Sequence, residues 1–324
     1  MSVIQQLLLS TGGGITSPIQ QAQTVDYEGN IFIGLGGTGI DCLLEIKKAV
    51  VERFQPDDIN ALVPTYKSMR FLAVDNDPYS GMNEFGKDEI FDISNPNVKQ
   101  ALRSEIAIKS RDELDWVDPQ KVDSTDCDLA VTRQEGRYRL MDRSDAFLRA
   151  VHGLISEVLT NHGERTPINI HIFAGLSGTI GSGIFLDVCY LVRKAIADAN
   201  GGDGVVLGYF FLPDVNLSKI PTTASLVHTY VPKNGYAAMQ ELDYCMRLPE
   251  NGGSFTQTYK NGIKIDWNEP PVDLCHLISA TDKTYQVVAN AYDNSMKVTA
   301  EYVMDFLTKP EERTRPDSNE VGVS

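Results

Sequence analysis

Two stretches of this chain share one plan, an apolar strand running through a glycine-rich loop into an amphipathic helix. The first, NIFIGLGGTGIDCLLEIKKAVV, starts at Asn30, and the second, INIHIFAGLSGTIGSGIFLDVCYLVRKAI, starts at Ile168. A strand that feeds directly into a helix needs a crossover before the next strand, and such units build parallel sheets covered on both faces. MRFLAVDNDP, GVVLGYFFLP and PVDLCHLIS read as further buried strands. The predicted fold class is α/β, a Rossmann-like and mostly parallel sheet with helices on both faces. In such sheets ligands bind beyond the carboxyl ends of the strands, where both glycine loops and the VDND turn lie.

The first loop is Gly34, Leu35, Gly36, Gly37, Thr38 and Gly39; the second is Gly175, Leu176, Ser177, Gly178, Thr179, Ile180, Gly181, Ser182 and Gly183. Glycines let the backbone approach an anion, and the helix that follows offers unpaired N–H groups and a positive dipole end. The hydroxyls of Ser177, Thr179 and Ser182 add donors suited to phosphate oxygens. One such loop would serve a dinucleotide enzyme; two on neighbouring strand ends suggest a phosphate chain cradled from two sides. Neither loop carries the Gly-Lys-Ser/Thr of a P-loop, so neutralisation falls to backbone dipoles and a cation such as Mg²⁺.

The rest of the chain sets boundaries. Residues 1–28 read as a lead-in, 29–308 as one nucleotide-binding domain, and 309–324 as a polar, disordered tail. Helices are expected near 97–109, over 137–160, from Gly235 to Met246 and over 283–308, the last with a break at Asp293-Asn294. A loop of about a dozen residues after Pro213 precedes the third of these. A hairpin inserted at about 252–268 alternates Phe255, Gln257 and Tyr259 against Ile263, Ile265 and Trp267 around an Asn261-Gly262 turn.

The net charge of −15 argues against binding nucleic acid or an anionic membrane surface. No stretch is apolar enough to span a membrane, and five scattered cysteines without a C-x-x-C spacing fit a cytoplasmic, reduced protein without a structural metal. The five histidines are equally dispersed and read as surface or satisfied core residues.

The order of these motifs resembles the tubulin/FtsZ superfamily, with its divergent bacterial tubulin-like proteins the nearest likeness. Ala73-Val74-Asp75-Asn76-Asp77 is similar to the family's A-V-N-T-D element after the second strand, and Gln134 to Arg139 resembles the end of its third loop. Ala174 to Gly183 stands where the family has G-G-G-T-G-[ST]-G, with Thr179 one place early and Ile180 at the usual threonine. The resemblance implies GTP or GDP, with Mg²⁺, and either self-association or a protein partner. It places Asp75 and Asn76 near phosphate and metal, and Thr132 to Gly136 as a γ-phosphate sensor. Asp214 falls near the ribose, Asp282 near sugar or base, Tyr292 against the guanine ring and Asn294 at its edge. The family's N-x-D-x-x-[DE] catalytic loop is not found after the last helix, nor is its second domain. Weak or absent hydrolysis is therefore expected, from either a fragment or a short variant. A Rossmann-type enzyme using NAD or ATP is the rival, although Asp75 follows Gly39 by 36 residues where about 20 is usual. A relic, non-binding interaction protein is the third possibility.

Overall fold

The computed structural model describes residues 28–54, 68–77, 80–107, 114, 116–117, 133–162, 166–200, 204–282, 284 and 286–308. The lead-in before residue 28, the tail from 309 and Thr132 lie outside them. A six-stranded, all-parallel sheet forms from β1 (Gly29–Leu35), β2 (Met69–Asp75), β3 (Ile90–Asp92), β4 (Ile168–Gly175), β5 (Gly204–Phe211) and β8 (Leu274–Ile278) in the order β3-β2-β1-β4-β5-β8. An antiparallel pair, β6 (Phe255–Thr258) and β7 (Lys264–Trp267), sits apart. The long helices are α1 (Gly36–Phe54), α3 (Arg133–His162), α4 (Ile180–Asn200), α6 (Ser225–Met246) and α8 (Ala291–Thr308); α2 (Val98–Ala107), α5 (Pro213–Lys219) and α7 (Leu248–Asn251) are shorter.

Every residue of β1 and β4 is buried, as expected of strands covered on both faces. The period of two along each strand then divides the apolar residues between two cores. Ile31, Ile33, Leu35, Ile170 and Ile172 pack beneath α3 and α4. Phe32, Phe71, Phe173, Tyr209 and Phe211 pack beneath α1 and α8. On that second face Phe71, Phe32 and His171 stack across adjacent strands at 5.2 and 4.7 Å between ring centroids. His171 is a satisfied core residue, bonded to Tyr209 Oη at 3.3 Å and Asn30 Oδ1 at 3.2 Å.

The strand order reverses between β1 and β4. To one side the sheet runs out through β2 and β3, to the other through β5 and β8. That reversal opens a crevice at the carboxyl ends of β1 and β4, and each of these strands ends in one of the glycine loops.

Several local expectations need correction. The presumed loop after Pro213 is helical: Pro213 opens α5 at its first turn, where a missing N–H costs nothing, and α6 begins ten residues before Gly235. Pro232 lies inside α6, so it does not mark a break. The last helix starts at Ala291, not 283, and is unbroken at Asp293-Asn294; Thr281 and Val287 form an antiparallel bridge instead. The hairpin turn takes three residues, Lys260–Gly262, with Asn261 and Gly262 both at positive φ and Tyr259 N–H donating to Ile263 O. Helix α3 starts at Arg133, which places Gly136 inside a helix and not at the end of a loop.

The hairpin is bound into the domain. Tyr190 and Phe255 stack at 4.0 Å, Tyr259 donates to Asp187 at 2.8 Å, and Arg137 joins Asp187 to Gln257. Lys260 reaches Glu105 and Asp142. Among the described residues no helix is long and apolar enough to cross a membrane.

Candidate functional site

The two glycine loops meet at the switch point. Gly36 has φ +65°, and a Cβ there would lie 2.8 Å from the backbone nitrogen of Gly181. The turn after β1 therefore needs glycine for its conformation and for the approach of the second loop. Beneath that loop, a Cβ on Gly136 would come within 2.1 Å of Thr179 O, so α3 presses its backbone directly against the loop.

Between the loops lies a cleft of about 160 Å³, lined by Leu35, Gly36, Gly37, Thr38, Asp75, Gly175 and the segment Gly178 to Gly181. The first residues of α1 and α4 form its walls, so two helix N-termini, with the positive ends of their dipoles, face the same space. Among the described residues no lysine or arginine lines it. Among the described residues the titratable group in the lining is Asp75, at the carboxyl end of β2. Burial pushes its carboxyl from 3.8 up to about 6, against the opposing effect of the Asn76 N–H that donates to it at 2.7 Å. Among the described residues no cluster of three or more His, Cys, Asp or Glu could hold a metal unaided. A single carboxylate beside an anion cleft does suit Mg²⁺, which takes one or two carboxylates and completes its shell with phosphate oxygens and water.

The hydroxyls of the second loop divide. Thr179 lines the cleft. Ser182 is fully buried behind it, where Arg133 donates to its Oγ at 2.7 Å and to its carbonyl at 2.9–3.1 Å. Arg133 also grips Glu241 of α6. Gly183 packs against the carbonyl of Arg133. Ser182 and Gly183 border a separate, larger cavity of about 560 Å³ between α3, α4 and α6. Ser177 is buried too, its Oγ donating to Asn216 Oδ1 at 3.0 Å and its carbonyl accepting from Asn234 at 3.0 Å. Gly34 and Gly39 pack against each other, and Gly39 against Phe173 O, seating α1 on the sheet.

Asn216 and Asn234 had no local signal in the sequence. Asn216 is the more informative, because its Nδ2 donates to Thr38 Oγ1 at 2.8 Å while its Oδ1 accepts from Ser177. One amide on α5 thus ties the first loop to the second. Tyr292 Oη donates to Asp41 Oδ2 at 2.6 Å, and Lys219 pairs with the same oxygen at 3.3 Å. Burial and the Asp41 carboxylate keep that phenol protonated.

The remaining sequence-predicted residues are engaged locally. Asp214 accepts from Ala280 N at 2.8 Å and Ser279 Oγ at 2.5 Å, stapling α5 to the loop after β8. Asp282 is exposed and accepts from Thr284 Oγ1 and N and from Gln286 N, donors that hold its carboxyl below the usual range. Asn294 donates to Ala289 O at 2.7 Å and borders a different groove of about 360 Å³ between β8 and α8.

Comparison with known proteins gives this arrangement a context. A family model described as "Tubulin like" matches residues 31–321. Solved structures similar to the chain include the CetZ2 protofilament with bound GTPγS from Haloferax volcanii (14% identity, TM-score 0.44, 86% of this chain and 58% of that one). An empty FtsZ dimer from M. jannaschii has 12% identity and a TM-score of 0.46, over 95% of this chain and 60% of that one. A GTPγS-form TubZ protofilament of Bacillus thuringiensis serovar israelensis has 14% identity and a TM-score of 0.44, over 88% and 58%. The chain thus spans about three fifths of the length of these relatives. No curated protein matches. With the family model covering nearly all of the described fold, the chain belongs to the tubulin-like family.

Proposed function

We propose that this chain binds a guanine nucleotide, GTP or GDP with Mg²⁺, in the cleft between its two glycine loops. One observation carries the proposal: two helix N-termini and the buried carboxylate of Asp75 converge on a cleft of about 160 Å³ at the switch point of the sheet. The backbone of Gly36 to Thr38 and of Gly178 to Gly181 takes the phosphates. Asp75, with Asn76 beside it, holds the metal against them. Ribose and base run from Thr38 towards Asp214 and Tyr292. When bound, the metal supplies the positive charge that the lining lacks.

Gly34, Gly39, Gly136, Ser177, Ser182 and Gly183 shape the loops from behind and leave the ligand contacts to their neighbours. Hydrolysis is weak or absent, in keeping with Ile180 standing where the family has threonine. Nucleotide occupancy instead sets the state of a surface used for self-association or for a protein partner.

A thermal-shift comparison of GDP, GTP, ATP and NAD, each with Mg²⁺, tests this. Stabilisation by the guanine nucleotides alone supports the proposal. Equal stabilisation by ATP or NAD supports a Rossmann-type enzyme, and no shift with any of the four removes the binding function.

A further inference from the structure

The ring of Tyr292 has no open face. Tyr292 stands in the first turn of α8, yet it is 8% exposed because its inner side belongs to the core shared with α1 and its outer side is covered. The cover is Lys219, the last residue of α5, whose Nζ lies 4.1 Å from the ring centroid. The same ammonium pairs at 3.3 Å with Asp41 Oδ2, the oxygen that accepts the Tyr292 phenol at 2.6 Å. Lys219 itself is 58% exposed, so its side chain has solvent to swing into.

A base cannot stack on Tyr292 while the ammonium sits there. We propose that Lys219 is a displaceable gate on the base end of the nucleotide site. The base enters only after Nζ has left both the ring and Asp41. The gate rests on the reading that a nucleotide binds with its base at Tyr292.

The contacts that hold the gate shut suit a device that must open. Cation–π contacts and ion pairs at exposed positions are each weak, and a lysine stem swings by rotating about single bonds. Opening occurs between encounter and seating, so the gate slows association and leaves the phosphate contacts that set dissociation untouched. It distinguishes a complete nucleotide from a bare polyphosphate, which fills the loop cleft without disturbing Lys219.

Stopped-flow binding of a fluorescent, ribose-labelled GDP to the wild type, Lys219→Met and Lys219→Arg tests the gate. Methionine keeps the apolar stem and removes the charge; arginine keeps a cation for the ring. Lys219→Met is expected to associate faster and bind up to about tenfold tighter, a factor set by the two weak contacts it removes. Lys219→Arg is expected to behave as the wild type. Competition by tripolyphosphate is expected to be equal for all three. Unchanged or weaker binding by Lys219→Met overturns the gate, and weaker binding would make Lys219 a direct contact to the nucleotide. Failure of all three proteins to bind labelled GDP refutes the nucleotide site itself and is distinguishable from failure of the gate.

Discussion

Gly36 and Gly181 approach so closely across the switch point that a Cβ on the first would lie 2.8 Å from the backbone nitrogen of the second. At this point the two loops meet main chain to main chain. Gly36 also has φ +65°, a conformation that side chains rarely adopt. Gly36→Ala is therefore expected to destabilise the fold by about 1–3 kcal/mol and to abolish nucleotide binding by parting the loops. Denaturant melts and a GDP titration of the folded variant check both outcomes. Unimpaired binding would show that the loops can part without consequence.

Asp75 gives the cleft a pH dependence with a defined sign. Its carboxyl stands at about 6 in the folded protein against 3.8 ordinarily. Between those values the native state binds the proton and the unfolded state does not, so stability contributed at this site falls as pH rises through the window. Above about pH 6 the charged, buried carboxylate costs roughly 1–3 kcal/mol. Asp75→Asn is expected to melt higher than the wild type at neutral pH and to match it below about pH 4. The same variant is expected to lose Mg²⁺-dependent nucleotide affinity. A melting difference that does not change with pH would contradict the assignment.

Asn216 joins Thr38 to Ser177 through one amide, with bonds of 2.8 and 3.0 Å. Removing it leaves two loop hydroxyls without their partner, at about 0.5–1.5 kcal/mol for each bond. Asn216→Ala is expected to lower stability by about 1–2 kcal/mol and GDP affinity by about tenfold. Asn216→Asp keeps the acceptor for Ser177 and loses the donor to Thr38, so an intermediate affinity is expected from calorimetry. Equal affinities for all three proteins would show that the loops do not depend on this bridge.

The fold was legible where the signal is local. Strands buried on both faces read as unbroken apolar runs, and each glycine loop directly follows one. The stretch after β5 misled because Pro213 reads as the close of a strand and the start of a loop. Yet Pro213 starts a helix, where proline is favoured, and Pro232 is tolerated inside one held by the packing of Val231, Gly235 and Ala238. Strand β3, three residues long, is too short to show a periodicity. In the site, the glycines and Asp75 could be found from their position after strands. The orientation of Ser182 could not be, because it is fixed by Arg133, 49 residues away, and the fate of Tyr292 is fixed by Asp41 at a separation of 251. Hydroxyls in a glycine loop look alike in sequence; their partners decide whether they face the cleft or the core.

Calorimetric titration of the chain with GDP, and in parallel with ATP, in the presence of Mg²⁺ tests the central claim most directly. The predicted result is one site per chain for GDP, lost in Gly36→Ala and weakened in Asp75→Asn, with no comparable heat for ATP. Absence of GDP binding by folded wild-type protein, or equal binding of ATP, would contradict it.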